Sequence, residues 1–466
     1  MTEMAAQVGD GEDNNDGPNP VFEENDAAGP LQDPLERRTI FAALDSFYQY
    51  RKNAHYNTTH RRRQNLYALP SRQWQLLADP PFSILDTLTA VDDAIDHNAD
   101  LADAIFNLGI TSLGLDETPA ADSPLNWHSH AQPNDMSKAH STIRQFYRDW
   151  SHKGFIQEVR PLLDIISEDL DIHMTGPRSD RRLSNILLPG AGLGRILFEL
   201  CRWGWNITGN EISYHQLLAS NFILNATTNP DQYEIYPFAT TFTNTISREN
   251  QLARHTIPDT HPAQTLAELS STGHPIGEMN MTAGDFVLSY SGPDTRESFD
   301  AVISVFFIDT APNLFRYIET VRNCLKPNGT WINIGPLLWH FDDRVHGGSH
   351  NEGDSNSSGG RQKAEVGQQT QQSHSHSNNT SSTPTGSSTS THQQTGMLDK
   401  EDQGIAEPGS FELSDEEVTR LVSKLGFEIL KHEILDNNGA GFGYMQDPSS
   451  LLQNRYKCSH WVARKL

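Results

Sequence analysis

The sequence predicts an α/β protein in which a mostly parallel sheet with crossover helices follows a helical N-terminal region. Two observations support this class. Apolar residues recur at helical spacing as far as about residue 175, and from Arg182 onward short apolar runs alternate with helical patterns. Such alternation is typical of parallel strands joined by crossover helices. Two further β-like segments close the chain.

The helical region is predicted over residues 34–175, after an acidic tail over residues 1–33. The tail is rich in Asp, Glu, Asn, Gly and Pro, and it has too little apolar surface to offset the entropy of ordering. We therefore predict that it is disordered. Asp33-Pro34 is typical of a helix start, with Asp as N-cap and Pro in the first turn. Two further helical patterns run over Ser83–Leu108 and Ser137–Leu170.

A sheet domain is predicted over residues 176–343 and 411–466. Residues 228–284 are a long irregular interruption, and residues 344–410 form a low-complexity insertion that we predict to be disordered. The histidines of the insertion could bind a metal loosely, but a solvated surface segment is favoured. The predicted strands are Asn185–Leu188, Ile207–Gly209, Ala301–Ile308, Thr330–Ile334, Phe427–Leu435 and Ser459–Arg464, and the predicted helices are Arg195–Trp203, Tyr214–Leu224, Leu314–Leu325 and Leu413–Leu425.

Composition limits the classes of partner. The 466 residues carry 35 Lys+Arg against 60 Asp+Glu, for a formal net charge of −25. Nucleic acids and anionic membranes attract basic surfaces, so we expect neither as a general partner. An apolar content of 36% is low for a chain that folds along its whole length.

The cysteines and the N-terminus predict the compartment. Cys201, Cys324 and Cys458 lie far apart, which offers neither a disulfide framework nor a CxxC metal site. Met1–Asp16 lacks the basic and then apolar plan of a signal peptide. No apolar run approaches the roughly 20 residues that span a bilayer. We expect a soluble protein of the cytoplasm or nucleus.

A glycine-rich loop follows the first predicted strand. Gly190-Ala-Gly192-Leu-Gly194-Arg195 leads into a helix, and glycines there allow a tight turn and close approach of a ligand. Arg195 stands where the third glycine of a GxGxxG motif would be, so the pattern is GxGxG. Glu211, 21 residues after Gly190, can accept hydrogen bonds from both hydroxyls of a ribose. Two alternatives for the glycine loop are tight packing alone and a nicotinamide or flavin site. A P-loop is excluded because no Gly-Lys-Ser/Thr follows.

The loop and Glu211 together resemble the motif of class I S-adenosylmethionine-dependent methyltransferases. The resemblance implies a Rossmann-like sheet that ends in an antiparallel hairpin, with S-adenosylmethionine as methyl donor and no metal. The segment Met281-Thr-Ala-Gly284-Asp285-Phe286 resembles the family's adenine loop, in which an acidic residue bonds the adenine amino group and an apolar neighbour packs on the ring. For Asp285 alone, the alternative is an ordinary helix N-cap.

Longer strings resemble a narrower family, the carnosine N-methyltransferases or N2227-like proteins. These strings are Gln145-Phe-Tyr-Arg148-Asp-Trp150, Pro189–Arg195 with Gly209-Asn-Glu-Ile-Ser213 and Ala219–Asn225, Phe306-Phe-Ile-Asp-Thr-Ala311, Trp331-Ile-Asn-Ile-Gly-Pro-Leu-Leu-Trp-His-Phe341 and Tyr456-Lys-Cys458. The resemblance implies methyl transfer to an imidazole nitrogen of a histidine-containing dipeptide, giving anserine from carnosine.

The resemblance also implies the site residues. Gln145 and Arg148 would hold the cofactor from a helical lid, with Arg148 on the methionyl carboxylate and Arg195 as a second candidate for that group. The implied cofactor set is Gln145, Arg148, Gly190, Gly192, Gly194, Arg195, Glu211, Asp285, Phe286 and Val305. The implied catalytic and substrate-side set is Asp309, His340 and Tyr456.

Methyl transfer to an imidazole requires little from the protein beyond the positioning of the two reactants. A methyl sulfonium needs little activation, and an imidazole with a pKa near 6.5 is largely neutral at cell pH. A carboxylate that accepts one ring N–H fixes the lone pair on the other nitrogen. Asp309 follows the strand Val302–Ile308, at the sheet edge where ligands bind. Each of these three residues has an alternative role. Asp309 could be a helix N-cap, His340 a structural histidine and Tyr456 a core residue.

Three readings of the function follow from the sequence. The preferred one is an enzyme that methylates a small histidine-containing peptide. The second is methylation of another small molecule or of histidine in a protein. The third is a catalytically idle module that binds the cofactor, although intact Glu211, Asp285 and Asp309 favour an enzyme. Association as a homodimer is left open.

Overall fold

The computed structural model describes residues 29–174, 181–340 and 411–466. The predicted low-complexity insertion lies outside these residues, and so does the predicted acidic tail up to residue 28. The disorder expected of both segments therefore stays a prediction. Within the three described ranges, no helix is both long and apolar enough to cross a membrane.

Helix α1 begins as the sequence predicts. The carboxylate of Asp33 accepts a hydrogen bond from the backbone N–H of Leu35 at 2.7 Å, which satisfies one of the donors that a helix start leaves unpaired. Seven more helices follow in the N-terminal region described here. In order these helices are α1 (Pro34–Tyr48), α2 (Tyr50–His55), α3 (Arg61–Tyr67), α4 (Ser71–Ala78), α5 (Ile84–Ser112), α6 (Pro133–Trp150), α7 (His152–Gly154) and α8 (Arg160–His173).

The third predicted helix is broken in the structure. Ser151 is extended, and its hydroxyl donates to the carbonyl of Tyr147 at 2.6 Å while accepting the N–H of Gly154. A serine that satisfies local backbone groups in this way ends one helix and starts another. A Cβ at Gly154 would lie 1.9 Å from the Tyr147 carbonyl oxygen, so only glycine fits the turn. One π-helical turn, Phe155–Val159, then leads into α8.

The sheet confirms the predicted fold class. Nine strands are present in the described ranges: β1 (Asn185–Pro189), β2 (Asn206–Glu211), β3 (Tyr233–Ile235), β4 (His255–Ile257), β5 (Met279–Ala283), β6 (Phe299–Val305), β7 (Leu325–Gly335), β8 (Phe427–Leu435) and β9 (Cys458–Lys465). Seven of them form one sheet in the order β5-β2-β1-β6-β7-β9-β8. Strands β5 to β7 of this order run parallel, and β9 is antiparallel to both β7 and β8. The closing hairpin is therefore present, and it carries a register shift between Ile429 and Lys431.

The prediction that residues 228–284 are irregular was wrong. They contain the small antiparallel pair β3–β4, two helices and the edge strand β5. An edge strand that is half exposed has a weak apolar pattern, which explains why β5 was missed. The helices of the sheet domain are α9 (Arg195–Arg202), α10 (Tyr214–Asn221), α11 (Arg248–Gln251), α12 (Pro262–Ser271), α13 (Phe286–Tyr290), α14 (Leu314–Cys324) and α15 (Asp415–Lys424).

The N-terminal helices share an apolar core with the sheet domain. Side chains of α1, α5 and α6 belong to the same buried cluster as those of α9 and α10. At Gly109 of α5, a Cβ would lie 2.7 Å from Leu44 of α1 and 3.0 Å from Leu218 of α10, so the three helices approach closely there. The indole N–H of Trp150 donates to the carbonyl of Leu193 at 3.0 Å. This packing fixes α6 over the carboxyl edge of the sheet.

Candidate active site

The glycine loop between β1 and α9 is held in a left-handed backbone. Gly190, Gly192 and Gly194 have φ angles of +69°, +56° and +75°, which other residues adopt only with strain. A Cβ at Gly190 would lie 2.7 Å from the Phe307 ring, and one at Gly194 would lie 2.9 Å from Leu224. The loop therefore needs its glycines both for its shape and for its close packing.

A cavity of about 340 Å³ lies beside this loop, at the carboxyl ends of β1, β2 and β6. Ten of the predicted site residues line it, namely Gln145, Arg148, Gly190, Gly192, Arg195, Glu211, Asp285, Phe286, Val305 and His340. Gly194, Asp309 and Tyr456 do not. Gly194 instead packs against Leu224.

Glu211 is buried at the end of β2 and is held by backbone donors. One carboxylate oxygen accepts from Gly192 at 3.0 Å, and the other accepts from Ile212 at 2.9 Å and Ser213 at 2.8 Å. Burial raises the pKa of Glu211, and these three hydrogen bonds oppose the increase. Its carboxylate therefore fixes the glycine loop and presents acceptor capacity to the cavity.

Asp285 is both the N-cap of α13 and part of the cavity wall. Its Oδ1 accepts from Val287 at 2.8 Å and from Leu288 at 3.1 Å, so the helix-cap interpretation is correct in geometry. Phe286 stands next to it, with its ring centroid 5.5 Å from that of Phe307. An acceptor beside a wall of aromatic rings suits a flat heteroaromatic group with a donor at its edge.

A polar network from α6 lines the opposite side of the cavity. The carboxylate of Asp149 accepts two hydrogen bonds from side chains of the same helix. Arg148 donates to one oxygen, and Gln145 donates to the other at 3.0 Å. Gln216 of α10 donates to the side-chain oxygen of Gln145 at 2.9 Å. Burial disfavours the charge on Arg148, but Asp149, Tyr444 and Glu158 together outweigh that effect, and the pKa of Arg148 is raised.

Two buried atoms of this network have no hydrogen-bond partner within the described residues. They are Nε of Arg148 and Oε1 of Gln216, and both residues line the cavity. Nε of Arg148 lies 3.9 Å from Oε2 of Glu158, an ion pair too long for a hydrogen bond. Buried polar atoms are nearly always satisfied, so an unpaired donor on a cation and an unpaired acceptor point to a ligand that supplies both partners. An amino acid end group, with a carboxylate and an ammonium, has this chemistry. The site therefore fits the S-adenosylmethionine implied by the resemblance.

The contacts of Arg195 favour a structural role for its side chain. Its guanidinium pairs with both oxygens of Asp259, bonds Glu199 at 3.0 Å and donates to the carbonyl of Asp149 at 3.1 Å. The ring of Phe155 lies 3.8 Å from its guanidinium carbon. Little donor capacity is left for a cofactor carboxylate, so Arg148 is the stronger candidate of the two.

Asp309, His340 and Tyr456 lie together beyond the end of β6. Asp309 is buried, its Oδ2 accepts from the N–H of Leu338 at 2.9 Å, and its carbonyl accepts from the N–H of His340 at 3.1 Å. It is not an N-cap, because Asn313 caps α14. Burial raises the pKa of Asp309, and the nearby His340 opposes that increase.

Tyr456 approaches the same region from the C-terminal hairpin. Its ring centroid lies 6.0 Å from that of Phe306, the residue after β6. Burial raises the pKa of Tyr456, and the carboxylate of Asp309 adds to the increase. Phe306 has a φ of +53°, a strained backbone for a bulky residue and a feature common at functional sites.

Several wall residues were not predicted. Among them are Asp149, Asn210, Gln216, Phe306, Phe307, Thr310, Tyr317 and Tyr444. Phe306 and Phe307 lie in a string that carries the family resemblance, so the sequence could have predicted these two as wall residues. Gln216 and Tyr444 had no local signal, because their helix and loop reach the cavity only through the tertiary fold. Within the described residues, no group of three or more His, Cys, Asp or Glu side chains is arranged to hold a metal ion.

Comparisons with known proteins show which proteins this chain resembles. A sequence profile described as "Carnosine N-methyltransferase" matches residues 125–466. The carnosine N-methyltransferase of Schizosaccharomyces pombe is 31% identical over 93% of this chain and 97% of its own length. The protein of that name from Rattus norvegicus is 34% identical over 67% of this chain and 73% of its own length. "Carnosine N-methyltransferase unmet" of Drosophila melanogaster is 30% identical over 72% of this chain and 56% of its own length.

Proposed function

The chain belongs to the carnosine N-methyltransferase family, and we propose that it methylates an imidazole nitrogen of carnosine, giving anserine, with S-adenosylmethionine as donor. Family membership confirms the resemblance seen in the sequence. The observation that carries the proposal is a pair of buried atoms, Arg148 Nε and Gln216 Oε1, that have no hydrogen-bond partner among the described residues and belong to one cavity with Glu211 and Asp285.

The residues of the cavity divide among the parts of the cofactor. Glu211 would accept the ribose hydroxyls, and Asp285 would accept the adenine amino group while Phe286 packs on the ring. Arg148 would pair with the methionyl carboxylate, and the free oxygen of Gln216 would accept from the ammonium. Bound S-adenosylmethionine supplies an electrophilic methyl group on a positively charged sulfur.

The acceptor side must present a neutral imidazole nitrogen in line with the methyl group. Asp309 would accept the N–H on the other ring nitrogen and so select the tautomer, and it would stabilise the imidazolium that forms. His340 and Tyr456 would contribute hydrogen bonds to the dipeptide. Support for this assignment comes from the position of Asp309 beside both residues at the end of β6.

Mass spectrometry tests the proposal directly. The purified protein is incubated with S-adenosylmethionine and carnosine, alongside Asp309→Ala and the exposed control Asp294→Ala. We expect a methylated dipeptide from the wild type and the control and none from Asp309→Ala. Product from all three would retain the reaction and discard the role of Asp309. Cofactor binding without product would direct the search to other imidazole acceptors, proteins included, or to an idle binding module.

We also propose that the partner is a small histidine-containing peptide rather than nucleic acid or membrane, and that the protein resides in the cytoplasm or nucleus. The net charge of −25 supports the first point, and three buried free thiols, Cys201, Cys324 and Cys458, support a reducing compartment. Imaging of a fluorescent fusion tests the location. Light scattering on the purified chain decides whether a homodimer forms.

A further inference from the structure

The loop between β8 and β9, residues 436–457, brings one aromatic ring to the cavity. Tyr444 lines the cavity and is 37% exposed. Its ring stacks on Phe306 with centroids 5.3 Å apart, and the guanidinium carbon of Arg148 lies 4.9 Å from its centroid. Tyr444 therefore lies between the residue proposed to hold the cofactor's carboxylate and the residue that begins the acceptor region.

Glu158 fixes the two residues that follow Tyr444. It is 5% exposed, its Oε2 accepts the N–H of Met445 at 2.7 Å, and its Oε1 accepts the N–H of Gln446 at 2.8 Å. Arg144 donates to the carbonyl of Met445 at 2.8 Å. Three hydrogen bonds from the N-terminal helical region thus clamp a two-residue segment that lies 287 to 301 positions away in the chain.

The loop has separate anchors at its base and at its tip. Phe442 and Tyr456 exchange two backbone hydrogen bonds of 2.8 and 2.9 Å at the base. At the tip, the N–H of Leu451 donates to the carbonyl of Asn244 at 2.8 Å. These contacts hold the loop in place overall, so the two hydrogen bonds of Glu158 act locally on the segment beside Tyr444. Glu158 Oε2 also lies 3.9 Å from Nε of Arg148, so the same carboxylate pairs with the guanidinium on which the Tyr444 ring rests.

The local backbone at Glu158 is unusual for a helix. Glu158 lies in the π-helical turn Phe155–Val159, and such turns are frequent at functional sites. Burying a carboxylate is costly unless it receives strong hydrogen bonds, and here two consecutive loop N–H groups provide them. The helix is therefore π-helical, not α-helical, at Glu158, the residue that bonds the loop.

We propose that Glu158 is a positioning residue, which clamps Met445 and Gln446 and thereby holds the ring of Tyr444 against Arg148 and Phe306. The clamp sets the wall between the cofactor and the acceptor. The kinetic part of this inference rests on the proposed methyl transfer, whereas the structural part does not.

Hydrogen exchange measured by mass spectrometry tests the clamp without any substrate. Glu158→Gln keeps the shape of the side chain but replaces one acceptor oxygen by an amide that faces a backbone N–H. Exchange in peptides covering residues 442–450 should rise at least about tenfold, as expected for losing a hydrogen bond to a charged group. Glu168→Gln, an exposed substitution on α8, should leave exchange unchanged. Unchanged exchange in Glu158→Gln would overturn the clamp.

A double-mutant cycle tests whether Glu158 acts through Tyr444. Glu158→Gln should raise KM for the acceptor at least about tenfold with a smaller change in kcat. In a Tyr444→Leu background, the same substitution should change kcat/KM less than about twofold, because the ring it positions is gone. Additive effects would refute the coupling and would assign the loss to the direct ion pair of Glu158 with Arg148. If Glu158→Gln does not fold, Arg144→Met, which has no donor, removes the third contact and takes its place in both experiments.

If no methyl transfer is detected in the wild type, the proposed function fails, and the exchange experiment still decides the clamp. Faster exchange in Glu158→Gln together with active wild-type enzyme and a coupled cycle supports the whole inference.

Discussion

Two histidines, the buried His215 and the half-buried His140, link the N-terminal helices to their neighbours, and they predict a specific loss of stability in acid. His215 of α10 has its Nε2 3.1 Å from Ser46 Oγ of α1, and His140 of α6 has its Nε2 3.2 Å from Asn53 Oδ1 of α2. Burial lowers the pKa of each histidine to about 4, and for His215 the nearby Lys138 adds to the effect. Both are therefore neutral in the folded protein at neutral pH.

The magnitude follows from proton linkage. The folded pKa lies below the unfolded value of about 6.5, so the stabilisation is complete above pH 6.5 and is lost as the pH falls towards 4. Between pH 7.5 and 5.0, proton binding to a histidine with a pKa of about 6.5 increases the statistical weight of the unfolded chain by a factor of about 30, which is about 2 kcal/mol for each histidine. Together they remove about 4 kcal/mol, a large part of a typical unfolding free energy of about 5–15 kcal/mol.

Urea unfolding at pH 7.5 and 5.0 measures this loss. His215→Gln and His140→Gln remove the titrating ring, so the unfolding free energy of each variant should fall by about 2 kcal/mol less than that of the wild type over the same step. His274→Gln, an exposed control, should behave as the wild type. An equal fall in the wild type, His215→Gln and His140→Gln would refute the reasoning.

Three further predictions concern the site and its surroundings. Glu211→Gln should weaken S-adenosylhomocysteine binding about 100-fold in calorimetry, the effect of two lost hydrogen bonds to a charged group, and unchanged affinity would contradict the ribose role. Gly194→Ala should lower the unfolding free energy more than Gly114→Ala, because both have positive φ but only Gly194 has a neighbour, Leu224, within 3.0 Å of a new Cβ. Equal losses in urea unfolding would contradict the packing argument. Excision of residues 347–396 should leave S-adenosylhomocysteine affinity unchanged, because the Trp339 indole N–H bonds the carbonyl of Leu413 at 3.2 Å across the gap. A tenfold loss on excision would show that the segment contributes to the site.

Much of the fold could be predicted because its signals are local. The strand, glycine turn and helix around Gly190 are adjacent in sequence, and Glu211 follows at the end of the next strand. Helix α1 begins at Asp33-Pro34, where cap chemistry marks its start. The break at Ser151 was missed because a hydroxyl that satisfies backbone groups leaves the apolar spacing around it unchanged.

The rest of the site depends on contacts between distant segments. Gln216 and Tyr444 reach the cavity from α10 and from the β8–β9 loop, and neither residue type is diagnostic by itself. For Arg195, the sequence predicted the position of the residue but not the contacts of its side chain. Its position at a helix start suggested an anion site, but its long side chain turns to Asp259, 64 residues away in the sequence. Sequence spacing predicts where the backbone of a residue lies. The contacts of a long side chain depend on which groups the folded chain brings within its reach.

Strand β8 forms one edge of the main sheet, and its features discourage the sheet from growing. An unpaired edge is a template for pairing with another chain, and charges or a bulge on the edge prevent this. Strand β8 has both, with its register shift at Ile429–Lys431 and the charged residues Glu428, Lys431 and Glu433. Adding a strand from a second molecule would require burying these charges and matching the shifted register. The edge is therefore protected against aggregation, and two copies of the chain would have to associate through another surface.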